Sequence, residues 1–134
     1  MFYQATNFDV DLSRWNTSRV TNMSGMFRGA SKFNGEIKAW NVSQVKNMSC
    51  MFREATQFNQ DLSCWSVSKV TNMSQMFYEA TQFSSDISEW DVSKVEDMSE
   101  MLKGASSFDC DLSEWNVSKL FDSKEKFYQS IRLG

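Results

Sequence analysis

The residues that could support chemistry in this 134-residue chain are three cysteines and a periodic row of carboxylates. The cysteines are Cys50, Cys64 and Cys110, and neither a histidine nor a Cys-x-x-Cys pair accompanies them. A cysteine nucleophile needs a base, and histidine is the commonest general base and transition-metal ligand. An odd cysteine count also gives no disulfide framework. We therefore expect free thiols, no cofactor and no enzymatic activity.

The carboxylates recur every 25 residues, at Asp11, Glu36, Asp61, Asp86 and Asp111. One interpretation is a calcium site, because calcium takes several carboxylate oxygens. The alternative is a row of turn carboxylates that accept backbone N–H groups. Such a row would face the basic residues of the repeat, which are Arg19, Lys69, Lys94 and Lys119. We favour the second interpretation and expect no metal site, because the glycine-rich spacing of calcium-binding β-helices is missing.

A block of 25 residues positions these side chains, and it recurs five times without insertion or deletion. Its most regular part begins with a methionine in every copy, at Met1, Met26, Met51, Met76 and Met101. A fixed period of this length indicates a solenoid, in which each unit buries its apolar face against its neighbours. The methionine, phenylalanine and tryptophan rows are then core.

The first half of each repeat predicts a short α-helix. Apolar residues follow helical spacing, as in Met23, Met26, Phe27 and Ala30. A strong N-cap residue precedes them in each copy, at Asn22, Asn47, Asn72, Asp97 and Asp122. In three copies a Gln or Glu three residues later predicts a capping box, at Gln75, Glu100 and Glu125.

The second half of each repeat predicts a short, half-buried strand. Trp40 and Val42 alternate with small polar residues, and the other copies follow the same pattern apart from Thr17 at the valine position of the first. The predicted fold class is therefore an α/β solenoid of leucine-rich-repeat type. It has one short strand and one short helix per 25-residue repeat, and its stacked strands form a parallel sheet.

The domain organisation follows from the repeat. Residues 1–120 form a five-repeat solenoid, and residues 121–134 form a C-terminal capping segment of the same domain. In that segment Ser123 replaces the helix methionine, and a longer amphipathic stretch follows. No comparable cap precedes Met1. Because an uncovered end of a parallel sheet associates readily, self-association through the N-terminal end is one expectation.

The repeat resembles a known family. Residues 58–77 read F-N-x-D-L-S-x-W-x-V-S-x-V-T-N-M-S-x-M-F, which is similar to the 25-residue repeat of Mycoplasma-type surface lipoproteins. That family is related to BspA-like leucine-rich repeats of microbial surface proteins. The resemblance implies an extracellular or cell-surface location and a role in binding or adhesion. It names no catalytic residue.

Composition limits the partners. The net charge is −3, which argues against a broad nucleic-acid-binding surface, and the longest apolar runs are too short for membrane insertion. Charge also varies along the chain. Residues 26–50 carry four basic and one acidic residue, a net charge of +3, whereas residues 76–100 carry one basic and seven acidic residues, a net charge of −6. Either ordinary drift of solvated positions or a polarised binding surface explains this difference.

We expect a recognition site at the outward positions of the predicted strands. The residues assigned to it are Arg14, Asn16, Asn41, Ser66, Glu89, Asp91, Glu114 and Asn116. A protein or an extended polymer fits this surface better than a small molecule, because the loops vary too little to form pockets. The predicted function is non-enzymatic surface recognition or adhesion. The alternative is a structural scaffold that assembles through its uncapped N-terminal end.

Overall fold

The computed structural model describes residues 11–120 of the chain. The first ten residues of the predicted solenoid and the predicted capping segment 121–134 lie outside the described residues, as do Asp122 and Glu125. Within residues 11–120 the chain forms successive coils of 25 residues. Backbone hydrogen bonds join each coil to the next, with partners 24 to 26 positions apart in sequence.

The predicted α/β fold class is wrong. Residues 11–120 contain no α-helix and no strand. In their place are turns and three isolated parallel bridges, Asn22 with Asn47, Asn47 with Asn72 and Asn72 with Asp97. The described residues accordingly include no helix long and apolar enough to cross a membrane.

Consecutive turns occupy the segment predicted to be helical. We call residues 23–30, 48–55, 73–80 and 98–105 the turn chains. In the first of them, the N–H groups of Met26 and Ala30 donate to carbonyls three residues back, at 3.3 and 3.0 Å. The alternate N–H groups donate to the next coil, as Phe27 does to the Met51 carbonyl at 2.8 Å. The i→i−4 ladder of an α-helix is therefore absent.

Left-handed backbone conformations explain why the helix does not form. An α-helix needs negative φ at every residue. Each turn chain departs from this twice, for example at Gly25 and Gly29, whose φ angles are 63° and 74°. Non-glycine residues adopt the same conformation at Cys50, Glu54, Gln75, Glu79 and Glu100. The turn chain nevertheless buries the side chains that a helix would bury, including Phe27 and Ala30.

The predicted strands are also turns. Trp40 N–H donates to the Ile37 carbonyl at 3.1 Å, and Val45 N–H donates to the Val42 carbonyl at 3.0 Å. The coils are joined on this side by tryptophan side chains. In the four coils after that of Trp15, the indole Nε1–H donates to a carbonyl in the preceding coil, with pairs Trp40 to Leu12, Trp65 to Ile37, Trp90 to Leu62 and Trp115 to Ile87 at 2.9 to 3.2 Å.

The predicted core rows are confirmed. The methionine, phenylalanine, tryptophan and valine rows of the interior coils are all buried. Phenylalanine rings stack from coil to coil, with centroids 5.6 Å apart for Phe27 and Phe52 and 5.5 Å apart for Phe52 and Phe77. Thr17, which occupies the valine position of its coil, is buried and donates its hydroxyl to the Asn41 carbonyl at 2.9 Å.

Candidate interaction surface

The predicted recognition residues are all exposed, but they lie on turns or in the irregular segments between turns, and not on a sheet. We call these eight residues the recognition face: Arg14, Asn16, Asn41, Ser66, Glu89, Asp91, Glu114 and Asn116. Their exposure follows from the coil geometry, since the alternate residues at the tryptophan and valine positions point into the core. Whether a partner binds there stays a prediction.

Local hydrogen bonds fix several side chains of the recognition face. The Oδ1 atom of Asn41 accepts from the backbone N–H of Ser43 at 2.9 Å. The Oδ1 atom of Asp91 accepts from both the N–H and the hydroxyl of Ser93, at 3.1 and 2.6 Å. Asn16 and Asn116 form the same type of turn. Such Asx turns hold the polar groups in place before any partner arrives, which lowers the entropic cost of binding.

One end of the recognition face is acidic, and its Asp91 is ionised at neutral pH. The hydroxyl of Ser93, followed by its backbone N–H, lowers the pKa of Asp91, and burial opposes this only weakly. Glu89 and Glu114 add two further exposed carboxylates on the same side of adjacent coils. This end therefore offers fixed negative charge to a partner.

Four of the five members of the carboxylate row are turn carboxylates, as favoured from the sequence, and the fifth, Glu36, is exposed. The Oδ1 atoms of Asp11, Asp61, Asp86 and Asp111 each accept from the backbone N–H of the serine two residues later at 2.9 Å. Hydrogen bonds from these serines lower the pKa of all four carboxyls. The cation that pairs with Asp61 is Lys38, at 3.4 Å, which lies outside the predicted basic row. Lys69 of that row instead donates to Gln44 at 3.0 Å.

The described residues locate the carboxylates and thiols that were considered for metal and thiol chemistry. Residues 11–120 contain no group of three or more carboxylates or cysteines that could hold a metal ion. The three cysteines are free thiols, as predicted. Burial, followed by a hydrogen bond to Asp86, raises the pKa of Cys110 and disfavours its thiolate. The absence of enzymatic activity stays a prediction.

A polar network on the turn chains was not expected from the sequence. The Arg53 guanidinium lies 4.4 Å from the ring centroid of Tyr78 and donates to Gln75. Gln75 in turn donates to Glu100 at 2.8 Å, and Glu100 pairs with Lys103 at 3.1 Å. The capping boxes predicted at Gln75 and Glu100 are wrong, since the backbone N–H groups of Asn72 and Asp97 donate to carbonyls of the preceding coil. The sequence feature that could have revealed this network is the 25-residue period, which makes Arg53 and Tyr78 neighbours.

Comparison with known proteins supports the repeat-based resemblance. The chain matches the family model described as "Mycoplasma protein of unknown function, DUF285" twice, over residues 1–81 and 60–133. No curated protein and no solved structure is significantly similar to the chain. Since the two matches together extend over almost the whole sequence, the protein belongs to this Mycoplasma DUF285 family.

Proposed function

We propose that the protein is a non-enzymatic surface-recognition or adhesion module that binds a protein or an extended polymer through the recognition face. One observation carries the proposal. The buried rows and the bridges repeat from coil to coil, whereas the exposed side chains of the recognition face change in charge and size. A regular scaffold with variable exposed positions is how solenoids usually present binding surfaces.

The electrostatics favour a cationic partner at one end of this surface. Glu89, Asp91 and Glu114 are exposed, and residues 76–100, which contain the first two, carry a net charge of −6. Because Asp91 is held by Ser93, binding costs little side-chain entropy at that position. The partner is then a basic protein or a cationic extended polymer. Exposed charges are screened by salt, so its affinity should fall as ionic strength rises.

The location of the protein is part of this proposal. The resemblance of the repeat to that of Mycoplasma-type surface lipoproteins supports an extracellular or cell-surface location and an adhesive role. The further kinship with BspA-like repeats stays a prediction. That kinship concerns the use of the repeat at a cell surface and not its local structure, which in residues 11–120 consists of turns, irregular segments and isolated bridges.

A pair of matched charge-neutralising variants tests the proposal. Glu89→Gln with Asp91→Asn removes two charges from the recognition face, and the asparagine keeps the oxygen that accepts from Ser93. Glu79→Gln with Glu96→Gln removes two charges from the same coil outside that face. The probe is immobilised polylysine, a cationic extended polymer, measured at several salt concentrations.

We expect the first variant to lose most of the binding and the second to retain it, with unchanged melting of both. Equal losses in the two variants would show that net charge, and not the recognition face, determines binding. Retention of binding by the first variant would contradict the assignment of the face.

A structural scaffold is the second candidate function, and one observation favours it. Trp15 exposes 42% of its surface, whereas the tryptophans of the four following coils expose 4 or 5%. A further coil, from a second copy of the chain, would cover this ring as each coil covers the tryptophan of the coil that follows it. Light scattering over a concentration series tests the idea: growth of the scattering mass supports assembly, and a monomer at all concentrations contradicts it.

A further inference from the structure

Asn34 is the only asparagine of the chain that is followed by glycine, and two groups of the next coil donate to its side-chain oxygen. The backbone N–H of Asn59 lies 2.9 Å from Asn34 Oδ1, and Gln60 Nε2 lies 3.0 Å from the same atom. Gln60 Nε2 also donates to the backbone carbonyl of Asn34 at 2.8 Å. The side chain of Asn34 is exposed to water.

This arrangement has the parts needed for an intramolecular reaction. The side-chain amide carbon of an asparagine can be attacked by the backbone nitrogen of the following residue, and glycine hinders that approach least because it has no Cβ. Negative charge develops on Oδ1 in the tetrahedral intermediate. Donors already placed on the oxygen where charge develops stabilise such an intermediate without reorganisation.

We propose that Asn34 is a self-modification site, at which the folded chain promotes its own succinimide formation and deamidation. The Gly35 nitrogen loses its proton to water and bonds to Cγ of Asn34, and the carbonyl electron pair moves to Oδ1. When this pair returns, the bond from Cγ to Nδ2 breaks, and Nδ2 takes up a proton and leaves as ammonia. Water then opens the succinimide at either carbonyl and leaves aspartate or isoaspartate at position 34.

The second hydrogen bond of Gln60 acts on the nucleophile. By donating to the Asn34 carbonyl, it draws electron density from the peptide group that joins Asn34 to Gly35. The N–H of Gly35 is part of that group, so the loss of its proton becomes easier. One side chain therefore polarises both the attacking nitrogen and the carbon that it attacks.

Other asparagines of the chain serve as internal controls. Asn59 Oδ1 also receives donors from the next coil, the N–H of Ser84 at 2.9 Å and its hydroxyl at 3.4 Å. The residue after Asn59 is Gln60, whose side chain hinders attack. Asn41 and Asn72 accept from serines two residues later and are followed by valine and methionine. The donor pair and the glycine coincide only at Asn34.

Peptide mapping by mass spectrometry measures the reaction at each asparagine. Folded protein and protein denatured in guanidinium are incubated at the same mildly alkaline pH, and aspartate and isoaspartate at position 34 are followed with time. Gln60→Ala removes the side-chain donor, and Gln57→Ala is the matched control on an exposed glutamine of the same coil. Gly35→Ala tests the nucleophile.

We expect Asn34 to react faster in the folded chain than in the denatured chain, with Asn59 nearly inert in both. Gln60 is partly exposed, so its loss should slow the folded reaction roughly tenfold, less than the hundredfold or more that one donor contributes in a closed active site. Gln57→Ala should leave the rate unchanged, and Gly35→Ala should slow it. A folded rate equal to or below the denatured rate would overturn the proposal, and this comparison needs no variant.

Discussion

The two sides of each coil are joined to their neighbours by different means. On the turn-chain side, alternate backbone N–H groups cross to the next coil, as Phe52 does to Met76 at 2.9 Å. On the tryptophan side, the backbone hydrogen bonds of the turns stay within the coil, and the indole of Trp65 donates to the Ile37 carbonyl of the preceding coil at 3.1 Å. Both sides share one continuous apolar core.

This difference implies that the two sides tolerate substitution differently. Backbone hydrogen bonds survive most changes of side chain, so the turn chains can accept Gly, Cys, Gln or Glu at their left-handed positions. The indole hydrogen bond depends on one residue type. The Ile37 carbonyl accepts from both Trp40 N–H and Trp65 Nε1, and only tryptophan can supply the second donor while filling the same space.

The largest expected loss of stability comes from a substitution on the tryptophan side. Trp65→Ala should lower the free energy of unfolding by about 3–5 kcal/mol, because it removes a buried ring and one donor to the Ile37 carbonyl. Trp15→Ala should cost less, since Trp15 is already 42% exposed. Urea denaturation of the two variants measures the difference. Equal midpoint shifts would contradict the view that each coil depends on both neighbours.

Much of the packing could be predicted from the sequence, but the local backbone could not. A helix and a turn chain place Met23, Met26, Phe27 and Ala30 on the same face, so periodicity cannot distinguish them. The deciding information is the backbone conformation. Gly25 and Gly29 adopt positive φ, yet later coils carry Gln75 and Glu54 at these positions, and both residue types favour a helix. The inter-coil hydrogen bonds outweigh that local preference.

The second prediction tests the turn-chain side through its left-handed positions. Gly104→Ala should destabilise the protein by roughly 1–3 kcal/mol, since a Cβ atom there would lie 2.8 Å from Glu79 Cγ and 3.3 Å from Glu79 Cα. Gly25→Ala is the matched control, because its φ is also positive and nothing lies within 4 Å of its Cβ position. Thermal melts of both should rank Gly104→Ala as the less stable. The reverse order would mean that backbone strain, and not contact, limits these sites.

The third prediction isolates the indole hydrogen bond. Trp65→Phe keeps an aromatic ring but removes the donor to the Ile37 carbonyl, and we expect a loss of about 1–2 kcal/mol. Phe52→Leu is the control on the turn-chain side, since it also reduces a buried side chain but removes no hydrogen bond. The urea midpoint of Trp65→Phe should be lower than that of Phe52→Leu. A Trp65→Phe variant as stable as Phe52→Leu would show that packing alone joins the coils on the tryptophan side.

The candidate surface was only partly predictable from the sequence. The exposure of Glu89 and Asp91 followed from alternation with buried neighbours, which a turn shares with a strand. The network of Arg53, Gln75 and Glu100 was missed because the capping interpretation directed Gln75 toward its own backbone. Only the stacking register, in which residues about 25 apart meet, places Arg53 beside Gln75 and Tyr78.

The smallest expected effect is a difference between the two sides in how their stability depends on pH. The carboxylate row on the tryptophan side forms Asx turns through Asp61 and Asp86, whereas the amides of Asn47 and Asn72 form the same turns directly before two of the turn chains. Hydrogen bonds from Ser63 and Ser88 lower the pKa of Asp61 and Asp86 in the folded state. A lowered folded-state pKa adds stability above the unfolded pKa, and this is lost as pH falls through the folded pKa, below about pH 4.

Amide proton shifts measured by NMR test this prediction residue by residue. The N–H of Ser63 and Ser88 should titrate below the ordinary aspartate range, and those of Ser49 and Ser74 should not titrate, because Asn47 and Asn72 carry no proton to gain. Asp61→Asn keeps the acceptor oxygen and should abolish the titration at Ser63 alone. The urea midpoint of this variant should then fall less steeply in acid than that of the wild type. Matching acid profiles would show that the carboxylate row adds nothing to stability on the tryptophan side.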